Sequence, residues 1–378
     1  MDGGEPAAKR PKPDEEWRLE KTLSTAAAPD DEAQHAFAMV RGAERHSIGP
    51  STDGIRLLKD GAVSWHPRKL REWLRASTKL RTGDVVVACY PKCGTTLTEQ
   101  LVLLALNGGD AASLDPLSKN ARNFSKRALG KVWPEACLRP DNQQVQVGQG
   151  KEEFVPMTLA EFDSLPQPRV IKTHARVPHL LGGSGLVKGA KYVVCTRNPF
   201  DACVSAYYHA WHPQNNGWPF DAWVHAWLAS DAWAPHGSWF RWHTEWRDAA
   251  SSESVLWLWY EDVVNVDSQE YWARTIATFV LGKDPSDELV QKMVAGASFA
   301  AMKAQALQAE GPSRLNSSEH LRVGKAGTWR DHFAPYPGLE EEVRRVFKTR
   351  MAGPGLAWNV GEGEAIVTPI TLPDGPSR

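Results

Sequence analysis

Four short hydrophobic runs in the middle of the chain predict β-strands. They are rich in β-branched and aromatic residues and span 84–89, 169–173, 191–196 and 255–260. Short runs that are almost continuously apolar are typical of parallel strands covered on both faces. At least three of these runs precede a segment with helical spacing of apolar side chains. The pattern therefore predicts an α/β fold, a single domain with a central parallel β-sheet flanked by helices.

The predicted helices begin at recognisable residues. The segment after the first strand, 95–106, carries leucines three or four positions apart, which predicts one apolar helix face. After the third strand, Asn198 can cap a helix that has Pro199 at its first position and Asp201 in its first turn. Further helices are predicted over 272–280 and 287–294. Loops are predicted where Gly or Pro is concentrated, at 182–185 and 213–219.

The two ends of the chain have a different composition. Residues 1–34 are rich in charged residues, Pro, Gly and Ala, and predict a flexible N-terminal arm. We expect one folded domain over 35–352 and a C-terminal tail over 353–378. The first residues lack the apolar core of a signal peptide, and the longest aliphatic runs are too short to cross a bilayer. The sequence thus favours a soluble, cytoplasmic protein.

Composition narrows the possible functions. With 44 Lys and Arg against 45 Asp and Glu, the net charge is -1, so we expect neither nucleic acid nor a membrane as a partner. The five cysteines form no Cys-x-x-Cys pair, which favours reduced thiols over a zinc or redox site, and we expect no metal. Many of the 17 tryptophans fall between positions 211 and 259. They are interpreted as core residues, or as one wall of a ligand groove.

The turn after the first strand reads Tyr-Pro-Lys-Cys-Gly-Thr-Thr-Leu, from Tyr90 to Leu97. In open α/β sheets, ligands bind beyond the carboxyl ends of the strands. A glycine turn at a helix start presents backbone N–H groups to an anion, and Lys92 adds a positive charge. The order of a Walker A loop is absent, because the lysine precedes the glycine. The turn is either a P-loop-like phosphate-binding loop or an ordinary turn with a surface lysine.

A second anion site is predicted after the third strand. Arg197 at the strand tip and Ser205 two turns into the next helix can converge on one anion. The segment 322–330, Arg-Val-Gly-Lys-Ala-Gly-Thr-Trp-Arg, is a glycine-rich basic loop that could wrap a phosphate or could be a solvated turn. Two separate anion sites are therefore indicated.

Six motifs in this order resemble those of the cytosolic sulfotransferases. They are Tyr-Pro-Lys-Cys-Gly-Thr-Thr at 90–96, Lys-Thr-His at 172–174, Arg-Asn-Pro-Phe-Asp-Ala-Cys-Val-Ser-Ala-Tyr-Tyr-His at 197–209, Gly-Ser-Trp at 237–239, Tyr-Glu-Asp at 260–262 and Arg-Val-Gly-Lys-Ala-Gly-Thr-Trp at 322–329. The resemblance spans about residues 50–350. It implies a domain that binds 3'-phosphoadenosine 5'-phosphosulfate (PAPS) and passes its sulfuryl group to a hydroxyl or amine of a small molecule.

The resemblance also implies a place for each site residue. The loop of Lys92, Cys93, Gly94, Thr95, Thr96 and Leu97 would hold the 5'-phosphosulfate. The 3'-phosphate would lie among Arg197, Ser205, Arg322, Val323 and Gly324. The adenine would lie between Tyr260 and Phe299, with Ser298 beside them.

The catalytic roles follow from the same resemblance. His174 would act as the general base, since an imidazole titrates near neutral pH. Lys92 would neutralise the leaving oxygen, Lys172 would be a second cation, and Ser205 would restrain Lys92. On residue type alone, a histidine at a strand end is more often a structural hydrogen-bonding residue, and the match of Lys172-Thr173-His174 to the family motif is what favours the base.

This chain departs from the family pattern at several positions. Leu97 stands where the family usually has a tryptophan, and Val323 replaces a lysine, so donor binding could be weaker. Cys93 replaces a serine, and its position at a helix N-terminus suggests a lowered pKa and a reactive thiol. The family's dimer motif is not found, which leaves a homodimer open.

Two other functions are compatible with parts of the pattern. A nucleotide kinase of related fold would need a Walker lysine and acidic magnesium ligands, and neither is found. A PAPS-binding relative with weakened catalysis would explain Leu97 and Val323, but not the presence of Lys92, His174, Ser205 and Arg197.

The acceptor is not identified by the sequence, although an aromatic wall over 211–246 would suit a flat phenol, a steroid or a cation.

Overall fold

The structure is a computed structural model that describes part of the 378-residue chain. The described residues are 55–57, 63–65, 73–114, 131–138, 157–183, 185–208, 219–229, 239–308, 323–351, 358 and 360. The predicted N-terminal arm, most of the predicted tail, the 213–218 loop and Arg322 lie outside them.

A five-stranded parallel sheet forms the centre of the fold. Two short strands, β1 (Ile55–Leu57) and β2 (Val63–Trp65), pair antiparallel as a separate two-stranded sheet. The other five strands pair in the order β4-β5-β3-β6-β7, and every pairing is parallel. Their bounds are β3 (Val85–Cys89), β4 (Lys131–Val132), β5 (Val170–Thr173), β6 (Lys191–Thr196) and β7 (Val255–Trp259). The predicted α/β class is confirmed.

Helices follow most of the strands. The helices of the described part are α1 (Thr95–Leu106), α2 (Pro134–Cys137), α3 (Leu159–Ser164), α4 (Pro199–Tyr207), α5 (Phe220–Ala229), α6 (Trp239–Ala249), α7 (Tyr260–Val263), α8 (Gln269–Leu281), α9 (Asp287–Gly296), α10 (Phe299–Gln308), α11 (Arg330–Phe333) and α12 (Leu339–Met351). Another helical stretch covers 73–77. None of the helices described here is long and apolar enough to cross a membrane.

The predicted element bounds agree closely with the structure. The four predicted strands match β3, β5, β6 and β7 to within one residue at each end. The predicted helix over 95–106 is α1, and Asn198 caps α4 by accepting a hydrogen bond from the Asp201 amide at 2.8 Å. The two helices predicted further on are longer than expected. The short strand β4 was not predicted, because two residues carry no periodicity.

Each face of the sheet is covered by its own set of apolar side chains. Successive side chains of a strand point to opposite faces. In β3, Val86 and Ala88 therefore join the cluster with α4, α5 and α6, while Val85 and Val87 join the cluster with α1, α8 and α9. A sheet buried on both faces explains why its strands are apolar without alternation.

The tryptophan-rich region belongs largely to the core. The buried tryptophans of this region are Trp223, Trp227, Trp239, Trp242, Trp246, Trp257 and Trp259. Trp211, Trp218 and Trp233 lie outside the described residues. Trp358 and Val360, from the segment predicted as a tail, are also fully buried, and Trp358 donates a hydrogen bond to Thr196 Oγ1 at 2.8 Å. The core thus includes residues beyond position 352.

The strand order has a switch point at β3. The chain adds β5 on one side of β3 and then crosses to add β6 on the other side. Such a switch point opens a crevice at the carboxyl ends of the strands. In register, Cys89 lies beside Cys195 and Ala88 beside Thr173. The residues that follow β3, β5 and β6 therefore leave the sheet next to one another.

Candidate functional site

The turn between β3 and α1 has the backbone shape of an anion-binding loop. Lys92 has a φ of 69° and Gly94 a φ of 99°, both in the left-handed region. Gly94 is the N-cap of α1 and has no side chain to accept from the first amides of the helix. The backbone N–H groups of the first turn of α1, which includes Thr95 and Thr96, give this end of the helix a partial positive charge. Such a helix end suits a phosphate or sulfate group.

Gly94 also allows two neighbouring side chains to approach the turn. A Cβ at this position would lie 2.7 Å from Tyr260 Cδ2 and 3.1 Å from Cys195 Sγ. Leu97, on the first turn of α1, is partly buried and packs against the apolar cluster on the α1 side of the sheet. The turn is therefore closed on one side by Tyr260.

Cys93 is fully buried in the turn. Burial raises the pKa of its thiol far above the ordinary value, and the nearby Cys89 raises it further, against a smaller lowering by Arg197. The expectation of a lowered pKa and a reactive thiol is wrong, because desolvation outweighs the helix N-terminus. The described thiols, Cys89, Cys93, Cys195 and Cys203, are all free and buried.

Arg197 joins three segments of the site. Its guanidinium donates from Nη1 to the Lys92 carbonyl and from Nη2 to the Lys325 carbonyl, both at 3.3 Å. It also lies over the Tyr260 ring, 4.4 Å from the centroid. Its Nε is buried and has no hydrogen-bond partner. A buried donor without an acceptor is costly, and an anionic ligand would satisfy it.

The loop at 323–329 packs against the start of α10. Gly324 has a φ of 66°, and a Cβ there would lie 2.1 Å from Phe299 Cδ2. Only glycine therefore lets the loop lie against this ring. Ser298 caps α10 by accepting from the Ala301 amide at 3.2 Å, and Val323 is half-buried. The loop that carries Val323 and Gly324 thus lies against Phe299, while Arg322 is not among the residues described.

The same loop is held by a network of buried carboxyl groups. Asp201 accepts from the Gly327 amide at 2.6 Å and lies 3.9 Å from Arg197 Nη2. Glu261 accepts from the backbone and side chain of Asn198 at 2.8 and 2.9 Å. Burial raises the pKa of Glu261 to about 7, although the Asn198 bond lowers it. Ser205 is half-buried in α4, two turns beyond Arg197.

His174 lies directly after β5, next to the end of β3. Its Nδ1 donates a hydrogen bond to the Cys89 carbonyl oxygen at 2.6 Å. A carbonyl oxygen can only accept, so the neutral ring carries its proton on Nδ1 and its lone pair on Nε2. The backbone of His174 is held as well, since Trp242 Nε1 donates to its carbonyl oxygen at 3.1 Å. The ring is thus oriented with Nε2 as the basic atom.

Lys172 lies on the same strand end in a partly shielded position. Its ammonium is 3.5 Å from the buried Glu99 carboxylate and 4.3 Å from the centroid of the Trp133 ring. The Trp133 ring also meets the His174 ring edge-on at 5.3 Å. Lys172 and His174 therefore share one aromatic neighbour.

Trp133 and Glu135 were not predicted as site residues. Both follow β4, whose carboxyl end lies at the same sheet edge as those of β5 and β3. Burial raises the pKa of Glu135 to about 7, and a hydrogen bond from Thr173 lowers it in part. The only sequence signal is the segment Lys-Val-Trp-Pro-Glu at 131–135, where Pro134 can begin a helix after a very short strand.

The described residues hold no group of three or more His, Cys, Asp and Glu side chains that could bind a metal ion. The features at the sheet edge are instead an uncapped helix N-terminus, an arginine with a buried unpaired Nε, and an oriented imidazole. This arrangement suits an anionic ligand placed beside a base.

Comparison with known proteins identifies the family. The Sulfotransferase domain model matches residues 82–355. Sulfotransferase 1E1 of Cavia porcellus is 30% identical over 285 residues, covering 73% of this chain and 86% of the relative. Sulfotransferase 1E1 of Homo sapiens is 28% identical over 313 residues, covering 79% and 91%.

Solved structures show the same fold. Mouse sulfotransferase SULT7A1 complexed with PAP has a TM-score of 0.55 and 20% identity, covering 79% of this chain and 95% of that one. Retinol dehydratase in complex with androsterone and the inactive cofactor PAP has a TM-score of 0.57 and 19% identity, covering 87% and 95%. The resemblance seen in the sequence motifs is confirmed, and the chain belongs to the sulfotransferase domain family.

Proposed function

We propose that this protein is a PAPS-dependent sulfotransferase that transfers the sulfuryl group to a hydroxyl or amine of a small molecule, with His174 as the general base. The observation that carries the proposal is the hydrogen bond from His174 Nδ1 to the Cys89 carbonyl at 2.6 Å. It leaves the lone pair on Nε2, the atom that would take a proton from the acceptor. The base lies at the strand end next to the anion-binding turn.

The residues of the two anion sites fit the donor. The uncapped α1 N-terminus, with Lys92, Cys93, Gly94, Thr95, Thr96 and Leu97, would hold the 5'-phosphosulfate. The buried Nε of Arg197 supports an anion at the second site, which Ser205, Arg322, Val323 and Gly324 would complete. The Tyr260 and Phe299 rings, with Ser298, would flank the adenine. When bound, PAPS supplies an activated sulfuryl group.

The chain's own residues then have separate tasks. Lys92 would neutralise the negative charge on the leaving oxygen. The backbone amides at the start of α1 would stabilise the negative charge that grows on the departing phosphate group. Lys172 would add a second positive charge, whose strength is moderated by Glu99 at 3.5 Å. Ser205 would restrain Lys92 before the acceptor binds. His174 Nε2 would accept the proton of the acceptor's hydroxyl or amine group as its oxygen or nitrogen attacks the sulfur.

The acceptor would lie against the Trp133 ring, which faces both His174 and Lys172. An aromatic wall beside the base suits a flat phenol, an alcohol such as a steroid, or an amine. We further propose that the protein acts in the cytoplasm on a freely diffusing acceptor, and that 35–352 is the catalytic domain, extended by the core residues Trp358 and Val360.

Substitution of the base tests this proposal. His174→Ala should lower kcat for sulfuryl transfer from radiolabelled PAPS by about 10²-fold or more, because a positioned base contributes about 10² to 10⁴. The affinity for the product nucleotide 3'-phosphoadenosine 5'-phosphate (PAP) should stay within about threefold of the wild-type value, since His174 is assigned no contact with the donor. The matched control is His225→Ala, on the exposed side of α5, where the ring pairs with Glu342.

The control should keep normal turnover. Near-normal turnover of His174→Ala would remove His174 from the mechanism. A wild-type protein that binds PAP but transfers nothing to any acceptor would favour the alternative of a catalytically weakened PAPS-binding relative.

A further inference from the structure

Glu135 is a buried carboxyl group that no role in the proposed reaction uses. It lies on α2, directly after the edge strand β4, and its Oε2 is shielded from solvent. Its Oε1 accepts a hydrogen bond from Thr173 Oγ1. The backbone amide of His174 also lies against this carboxyl group, and Lys172 attracts it electrostatically. All three residues of the Lys172–His174 segment thus interact with one carboxyl group.

The hydroxyl of Thr173 is oriented by a second hydrogen bond. Thr173 Oγ1 accepts from the Ala175 amide at 2.9 Å. The proton of the Thr173 hydroxyl is therefore directed to Glu135. The bond from the Ala175 amide closes the backbone turn that contains His174. The Thr173 hydroxyl has one O–H to donate, and the Glu135 carboxyl group accepts that hydrogen bond.

The segment is held from the opposite side by β3. There the Cys89 carbonyl oxygen accepts from His174 Nδ1 at 2.6 Å. The ring of His174 is therefore held by β3, and its backbone by the carboxyl group of α2. Loss of either contact would free the imidazole to move relative to an acceptor, and a misplacement of about 1 Å can cost about 10²-fold in rate.

We propose that Glu135 is a positioning residue for the sulfuryl-transfer reaction, whose carboxyl group fixes the Thr173–His174 backbone and so holds His174 Nε2 in its catalytic place. This inference rests on the proposed function, in which His174 is the base. Glu135 touches no reacting atom and acts through His174 and Thr173.

Two substitutions at Glu135 separate positioning from folding. Glu135→Ala removes both acceptor oxygens and should lower kcat by about 10²-fold, with PAP affinity within about threefold of wild type. Glu135→Gln keeps one oxygen for the Thr173 hydroxyl and should recover at least about tenfold of that loss. The matched control is Glu161→Ala, which removes the exposed carboxylate of the α3 capping box and should leave kcat within about twofold.

A double-mutant cycle shows whether Glu135 acts through the base. In a His174→Ala background, Glu135→Ala should lower single-turnover rates by less than about threefold, because the group it positions is gone. If the Ala variant does not fold, Thr173→Val and Thr173→Ser replace it. Valine lacks the hydroxyl and should lower kcat about tenfold or more, whereas serine should be close to wild type.

The outcomes are distinct for the two proposals. If His174→Ala loses turnover while Glu135→Ala, or Thr173→Val in its place, stays near wild type, the positioning role is overturned and the proposed function stands. Additive losses in the cycle, or equal losses of kcat and PAP affinity in Glu135→Ala, also overturn the positioning role. Normal turnover of His174→Ala overturns the proposed base itself.

Discussion

At the scale of single residues, glycine determines how closely two aromatic rings approach the turn after β3 and the loop at 323–329. Gly94 lies against Tyr260, and Gly324 lies against Phe299. Both rings were assigned to the adenine from the sequence resemblance alone. The contacts show that each ring occupies the space that a side chain at the glycine would need, and the place of the two rings at the adenine stays a prediction.

Gly94→Ala tests this contact. Alanine at a φ of 99° is strained, and its Cβ would lie 2.7 Å from the Tyr260 ring. We expect a loss of about 1 to 3 kcal/mol in the free energy of unfolding from the backbone strain, with a further loss from the displaced ring. PAP affinity should also fall.

Gly338→Ala is the matched control for this prediction. Gly338 has a φ of 84°, and a Cβ there meets nothing within 4 Å. It should show the backbone strain without a change in PAP affinity. Equal losses of stability in the two variants, with PAP binding intact in both, would contradict the role assigned to Gly94. Urea unfolding and calorimetric titration supply the two measurements.

Lys92, Gly94, Arg197 and His174 could be proposed as site residues from the sequence because each follows a strand that its apolar residues make visible. Glu135 escaped prediction because it follows a strand of two residues, Lys131–Val132. The reactive thiol expected at Cys93 failed for a different reason. Its residue type and place in the turn are visible in the sequence, but its full burial depends on packing between distant segments.

At the scale of elements, helix α6 holds the end of β5, where the proposed base lies, from outside the sheet. Trp242 Nε1 donates to the carbonyl oxygens of His174 and Ala175, both at 3.1 Å, and Trp246 Nε1 donates to Ala175 at 3.0 Å. The tryptophan-rich segment was interpreted as core or as a substrate wall. On α6, Trp239, Trp242 and Trp246 are all buried, and Trp242 and Trp246 also bind the backbone next to the proposed base.

Trp242→Phe measures the contribution of this contact. The substitution removes the N–H and leaves the His174 carbonyl without this donor, which should cost about 1 to 3 kcal/mol of stability. We also expect kcat to fall about tenfold, because the backbone of the base is less fixed.

Trp272→Phe provides the comparison for Trp242. Trp272 is also buried, but its Nε1 has no hydrogen-bond partner. The control should lose packing area only and keep its kcat. If both variants lowered kcat alike, or if Trp242→Phe left it unchanged, α6 would have no specific role at the base. Thermal unfolding and initial rates would be measured for both.

At the scale of the whole molecule, the strand order brings the separate motifs to one edge. The sequence predicted a parallel sheet and placed chemistry after its strands. It did not predict the order β4-β5-β3-β6-β7, since pairing depends on contacts between segments far apart in the chain. The switch on either side of β3 is what brings the turn after β3 between His174 and Arg197.

The proposed acceptor side differs from the aromatic wall that the sequence predicted. The proposed wall over 211–246 is only partly described, and its described tryptophans belong to the core. Trp133, which faces His174, was absent from the predicted wall. Residues for the donor could be proposed from the sequence, because the helix N-terminus after β3 and Arg197 both lie in recognisable motifs.

The donor site is tested most directly by calorimetric titration of the purified full-length protein with PAP, with adenosine 5'-phosphate and ATP as controls. Because the second anion site would bind the 3'-phosphate through charge-assisted hydrogen bonds, PAP should bind at least about 10²-fold more tightly than adenosine 5'-phosphate. Equal affinity for the two nucleotides, or a preference for ATP, would contradict the assignment of PAPS as the donor.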